Sequence, residues 1–131
     1  MKITFIDKEH RTNFKKMMQF SNADLSDRER VSLFYILSSI DKFREFPERY
    51  YDFKTEMIDV SNIDCTLTDG EQALLQLAFH LFTGSNEYTA TPVSTFGLLG
   101  FEWSFIALNA IKLRFGIEEM DKMSTIEIDL K

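Results

Sequence analysis

The segment TDGEQALLQLAFHLFTG, residues 68–84, constrains the fold most, because it contains the signals for both ends of one helix. Thr68 and Glu71 have the spacing of a capping box, in which each side chain accepts a hydrogen bond from the backbone amide of the other residue. Apolar residues then recur at helical spacing, and Gly84 can adopt the left-handed conformation that ends a helix. The segment therefore predicts an amphipathic helix that must bury one face against other elements.

Signals of the same kind recur along the rest of the chain. They are Asp7 before a helix that begins at Lys8, a second capping box at Ser26 and Glu29, Pro47 in the first turn of a short helix, and Gly116 after a last helix that begins near Phe101. The periodic apolar positions of these helices predict that Leu37, Leu77 and Ile111 are buried.

The aromatic content predicts what fills the core. The chain has 13 phenylalanines against four tyrosines and one tryptophan, and only two prolines and five glycines. Phenylalanine has no polar group, so most of these rings should be internal, and the scarcity of turn residues favours helices. We expect a mainly α fold, with four to six helices in one compact domain over residues 1–116 and an acidic extension over residues 117–131.

The segments between helices are predicted as loops, with three short extended pieces. Residues 54–67 read as a loop with an extended piece at Met57–Ile58, and residues 85–95 read as a polar loop. Residues 2–6 and 125–130 alternate between apolar and polar side chains, which is typical of strands with one buried face. A lone strand leaves its backbone groups unpaired, so we expect the two ends to pair with each other. The alternatives are pairing between the subunits of a homodimer and a C-terminal segment that becomes ordered only on a binding partner.

Composition argues against several classes of function. The net charge of −6 leaves no broad basic face for direct binding of nucleic acid. No apolar run is long enough to span a membrane, and the N-terminus lacks a signal-peptide pattern. A single cysteine, Cys65, fits the reducing cytoplasm. Without HExxH, CxxC or a glycine-rich phosphate loop, we expect no metal and no cofactor.

Four segments together resemble a known family. They are ERVSLFYILSS, YDF, QALLQLAFHLFTG and FIALNAIKLRFG, and the early pair Glu9–His10 is similar to the opening helix of that family. The chain resembles the DUF6075 family, small proteins of Gram-positive bacteria and their mobile elements, over residues 3–116. The resemblance implies a helical fold, a bacterial or phage cytosol and an accessory role. It also implies that family members end near the last helix, so that residues 117–131 depart from the pattern.

Binding to another protein is the function that these features favour. A sharper hypothesis is a phage or mobile-element inhibitor of a defence nuclease, similar to an anti-CRISPR protein, whose carboxylates replace phosphates in a basic groove. The three aromatic rings of YYDF, residues 50–53, fit either an interface or the core. The candidate partner-binding residues are Glu118, Glu119, Asp121, Glu127, Asp129, Tyr50, Tyr51 and Asp52.

The alternative hypothesis is a small enzyme or ligand-binding protein with a pocket between helices. Its candidate residues are His80, Cys65 and Tyr50. A cysteine and a histidine can form a nucleophile and its base, although a lone cysteine is more often a small buried side chain.

Overall fold

A computed structural model describes residues 2–63, 66–117 and 120–130. It confirms a mainly α fold, with a two-stranded antiparallel sheet between Tyr51–Asp52 and Met57–Ile58. Short 3-10 helices lie at Pro47–Arg49, Val60–Asn62 and Met120–Lys122. The α-helices are α1 (Lys8–Phe20), α2 (Arg28–Leu37), α3 (Asp41–Arg44), α4 (Asp69–Thr83), α5 (Pro92–Phe96) and α6 (Phe101–Phe115), and the strands are β1 (Tyr51–Asp52) and β2 (Met57–Ile58).

Helix α2 is the centre of the fold. Every residue from Val31 to Leu37 is buried, and α1, α4 and α6 pack around the helix. A helix that is apolar on all sides is stable only when other elements surround it. Leu37 and Leu77 are buried as predicted, whereas Ile111 is only partly buried, because it packs against the edge of the core.

Several predicted helix ends are confirmed. The Thr68 hydroxyl accepts from the Glu71 amide at 3.1 Å, and the Glu71 carboxylate accepts from the Thr68 amide at 2.8 Å. Asp7 caps α1 by accepting from the amide of His10 at 2.7 Å. Gly84 and Gly116 are left-handed, with φ of +74° and +73°.

The predicted capping box at Ser26 is wrong, because Asp27 caps α2 instead. The Asp27 carboxylate accepts from the amide of Arg30 at 3.2 Å. Ser26 lies outside the helix, and its amide donates to Asp24 at 2.7 Å in a turn of its own. Ser26 and Asp27 are both residue types that can cap a helix, but Ser26 is hydrogen-bonded to Asp24 in the preceding turn.

The loop predictions hold in part. The extended piece at Met57–Ile58 is confirmed as β2, where Ile58 pairs with Tyr51. Residues 85–95 are not a continuous loop, because α5 begins at Pro92. Proline suits the first turn of a helix, and the Thr91 side chain accepts from the amide of Ser94 at 3.2 Å.

The predicted strands at the two ends do not form within the described residues. Residues 2–6 and 124–130 have no assigned secondary structure. Helix side chains bind the N-terminal segment instead, since the Tyr35 hydroxyl donates to the Thr4 carbonyl at 2.6 Å. At the other end, Ile126 is 94% exposed, so alternation alone does not supply a strand with an edge to pair with.

None of the helices in the described part of the chain combines the length and hydropathy needed to cross a bilayer.

Candidate functional site

The turn after β1 places an aromatic ring near the surface. The Asp52 carboxylate accepts from the amides of Lys54 at 2.8 Å and Thr55 at 3.2 Å. These hydrogen bonds, that of Lys54 first, hold the pKa of Asp52 below its usual value. Glu56 completes the turn with a left-handed φ of +62°. The turn thereby holds Phe53 over the end of α1.

Arg30 of α2 ties this turn to the core. Its Nε donates to the Tyr51 hydroxyl at 3.0 Å, and its Nη2 lies 2.9 Å from a carboxylate oxygen of Glu56. The Phe53 ring stacks on Phe34 with centroids 5.7 Å apart and meets Tyr51 edge-on at 4.9 Å. Because both neighbouring rings are fully buried, the position of Phe53 is fixed from below.

The last residue of α1 completes an exposed aromatic pair. Phe20 meets Phe53 edge to face with ring centroids 5.2 Å apart, yet it remains 77% exposed. Beside the pair is a cavity of about 410 Å³ whose lining is almost entirely apolar. We call it the aromatic groove, and it is lined by Asn13, Lys16, Met17, Phe20, Pro47, Glu48 and Phe53.

Two elements contribute most of the lining of the aromatic groove. Helix α1 contributes residues at the helical spacing 13, 16, 17 and 20, and the 3-10 helix Pro47–Arg49 contributes its first two residues. Lys16 and Glu48 are exposed. Beside the 3-10 helix, Phe46 is 51% exposed and lies 5.7 Å from the Arg49 guanidinium. The lining is almost entirely apolar, so it suits the binding of an apolar side chain.

A second cavity, of about 680 Å³, lies between the N-terminal segment and α1. Its lining includes Phe5 and Phe14, and both rings are at least partly buried in the core cluster. It therefore lacks the exposed aromatic pair that distinguishes the aromatic groove.

The predicted YYDF site divides between core and surface. Tyr50 is 2% exposed and Tyr51 is fully buried, so neither ring offers a surface to a partner. Asp52 is exposed, but its carboxylate is engaged in the turn described above. Phe53, the last residue of the motif, is the one that reaches the aromatic groove.

The predicted acidic residues of the C-terminal segment are only partly described. Glu127 and Asp129 lie on an exposed stretch without regular secondary structure. Glu118 and Glu119 lie outside the described residues, and so does the side chain of Asp121. Partner binding by these acids stays a prediction.

The candidates for an enzyme site have structural contacts where they are described. His80 Nδ1 donates to the Ser85 carbonyl at 2.8 Å, just beyond the end of α4. Neither His80 nor the buried Tyr50 lines the two cavities above, and Cys65 lies outside the described residues. Across residues 2–63, 66–117 and 120–130, no three histidine, cysteine or carboxylate side chains converge on a metal position.

Sequence reasoning missed the aromatic groove, although one signal was present. Phe20 stands immediately before the polar break at residues 21–24, in line with Asn13, Lys16 and Met17. An aromatic residue in the last turn of a helix, beside a polar segment, is poorly placed for the core. Its pairing with Phe53, 33 residues later, depends on tertiary structure and is not visible in any local pattern.

Comparison with known proteins gives one match. No curated protein and no solved structure matches the chain. The model of a family of unknown function, DUF6075, matches residues 1–127. The match continues past Gly116, so the expectation that family members end near the last helix is wrong. Because the match spans nearly the whole sequence, the chain belongs to the DUF6075 family.

Proposed function

We propose that this protein acts by binding another protein and that the aromatic groove holds an apolar side chain of that partner. The observation that carries the proposal is the Phe20–Phe53 pair, which leaves a ring 77% exposed beside an apolar cavity of about 410 Å³. Protein interfaces concentrate binding energy in aromatic residues around such concave, desolvated sites.

The energetic gain comes from covering Phe20. Complete burial of a phenylalanine side chain contributes about 1.5–3 kcal/mol relative to exposure. The cost of ordering is small, because contacts with Phe34 and Tyr51 already fix Phe53. A partner that inserts one aromatic or branched aliphatic side chain gains from both effects.

The sharper form of the proposal is an inhibitor that acts in a bacterial or phage-infected cytoplasm on a basic defence nuclease. Its support is the net charge of −6 together with the exposed acids Glu127 and Asp129 in the extension over residues 117–131. This mode and the groove mode respond differently to salt. Binding through carboxylates weakens as ionic strength rises, whereas apolar insertion does not.

Selection of displayed peptides against the folded protein tests the groove mode. We expect enriched peptides to share an apolar anchor and to lose at least about tenfold in affinity toward Phe20→Asp, which corresponds to about 1.4 kcal/mol. Val93→Asp is the matched control, because Val93 is 85% exposed on α5 and lies away from the groove. Peptides that bind all three proteins equally would contradict the groove as the docking site.

A further inference from the structure

Helix α6 has two apolar faces on opposite sides. Its buried face consists of Ile106, Ala107, Ala110 and Leu113. The other face is the α6 seam, which consists of Phe101 (95% exposed), Phe105 (40%), Leu108 (48%) and Phe115 (61%). A soluble helix normally covers its outer face with polar residues, so the seam is a candidate contact surface.

The α6 seam has the spacing of a helix-pairing surface. Phe101, Leu108 and Phe115 follow each other at intervals of seven residues. Residues at this spacing shift by only about 20° around the helix axis from one to the next. They therefore form a nearly straight row along a helix of about 22 Å. A row of this kind packs against a similar row on another helix.

We propose that the α6 seam pairs antiparallel with the α6 seam of a second copy of this chain, about a twofold axis near Leu108. In this arrangement, Phe115 of the second copy lies opposite Phe101. A hollow of about 350 Å³ is present at that end, lined by Phe5, Ile6, Phe101, Glu102 and Phe105. The exposed ring at one end of the seam thus meets a hollow at the other end, and twofold symmetry repeats the contact.

The charges beside the seam determine its orientation. Glu102 and Lys112 flank the same side of the row, near its opposite ends, and both are at least partly exposed. Antiparallel pairing places Glu102 of each copy beside Lys112 of the other, so two attractive contacts form. Parallel pairing would place the Glu102 side chains of the two copies on opposite sides of the seam, and likewise the Lys112 side chains, so neither attractive contact would form.

The area of the seam shows whether these four residues alone could form a stable interface. An aromatic side chain buries about 150–250 Å² when fully covered, so the exposed fractions of the four seam residues amount to on the order of 400–500 Å² per copy. A stable interface buries about 800 Å² per partner. Neighbouring residues must therefore contribute, and we expect a dimer with a dissociation constant on the order of micromolar.

Sedimentation equilibrium of the full chain tests the pairing over about 1–500 µM, a range that brackets the expected dissociation constant. We expect a reversible monomer–dimer equilibrium that Leu108→Glu weakens by at least about tenfold. Val93→Asp is the matched control, because Val93 is 85% exposed on α5 and lies outside both the seam and the aromatic groove, so this variant should dimerise like the wild type. Failure of the groove proposal would leave this equilibrium unchanged, so the two proposals are tested separately.

Charge reversal tests the antiparallel arrangement itself. Glu102→Lys and Lys112→Glu should each weaken dimerisation by about three- to tenfold, since each creates two repulsive contacts per dimer. The double variant Glu102→Lys/Lys112→Glu should restore the wild-type constant to within about twofold, because the contacts are attractive again. Far-UV circular dichroism confirms that every variant is folded. A wild type that stays monomeric over the whole range, or a double variant that remains as weak as the singles, would overturn the proposal.

Discussion

His10 shows how one side chain fixes a segment that has no secondary structure of its own. The ring is fully buried, and its Nε2 donates to the Tyr35 carbonyl at 2.8 Å. Its Nδ1 accepts from the amide of Ile6 at 3.3 Å. Since both ring nitrogens are engaged in the neutral form, protonation at Nδ1 would break the bond to Ile6 and leave a charge in an apolar site among Phe5 and Tyr35.

This arrangement predicts that stability falls in mild acid. Burial is the largest cause that lowers the pKa of His10, from 6.5 to about 4, with the Tyr35 carbonyl and the nearby Asp7 opposing the shift and Arg44 adding to it. The unfolded chain therefore binds a proton that the folded chain rejects between these pH values. We expect the free energy of unfolding to fall by on the order of 2–3 kcal/mol as the pH drops from about 7 to about 4.

Urea unfolding of the wild type and His10→Gln at several pH values measures this contribution. Carboxylates titrate in both proteins, so the difference between the two isolates the histidine. Glutamine cannot gain the proton, and the variant should lose less stability over the same interval. Parallel pH profiles for the two proteins would show that His10 does not carry the effect.

At the scale of elements, the two predicted capping boxes form a matched pair. Thr68→Ala should lower the free energy of unfolding by roughly 0.5–2 kcal/mol, because it leaves the Glu71 amide at the start of α4 without its acceptor. Ser26→Ala should change it by less than about 0.5 kcal/mol, since Asp27 caps α2. Thermal or urea unfolding of both variants measures the contrast, and a larger loss at Ser26 would contradict the assigned helix start.

Local sequence signals predict some elements of this fold and not others. Helices α4 and α6 were predicted nearly to the residue, because Thr68, Gly84 and Gly116 are local signals that act through backbone geometry. Ser26 was misassigned, because a neighbouring carboxylate competed for the same amides. The prediction of strands at residues 2–6 and 125–130 is wrong. An alternating pattern shows that a strand would have one apolar side, but it does not supply a second strand with which the backbone can pair.

The surfaces were harder to predict than the helices. Helix α6 has apolar residues on both sides, so periodicity alone does not fix the limits of the face that meets α2. Its four small and aliphatic core residues turned out to be buried, while Phe101, among 13 phenylalanines expected mostly inside, is 95% exposed. The aromatic groove likewise joins α1 to a turn far along the chain, and only the fold brings them together.

At the scale of the whole molecule, the two proposed contact surfaces use different elements. The aromatic groove is formed by α1, the 3-10 helix Pro47–Arg49 and Phe53, whereas the α6 seam lies on α6. Pairing through α6 would leave both grooves of a dimer open. Two grooves in one assembly would favour a partner that carries two anchors, since the second binding event becomes intramolecular.

The C-terminal segment would be part of the fold if the two ends of the chain paired. Ile128 is 76% exposed and Leu130 is 85% exposed, so this stretch adds little buried apolar area. We expect deletion of the chain from residue 124 onward to change the free energy of unfolding by less than about 0.5 kcal/mol. Thermal melting, with limited proteolysis of residues 2–6, measures the outcome.

Tyr35→Phe is the contrasting variant for the same measurement. It removes the hydroxyl that donates to the Thr4 carbonyl at 2.6 Å, so it should expose residues 2–6 to protease while the deletion leaves them protected. If the deletion instead exposes the N-terminal segment, the C-terminal segment covers it in solution, and Glu127 and Asp129 would then belong to the folded domain. If only Tyr35→Phe does so, the N-terminal segment depends on α2 and not on the C-terminal segment.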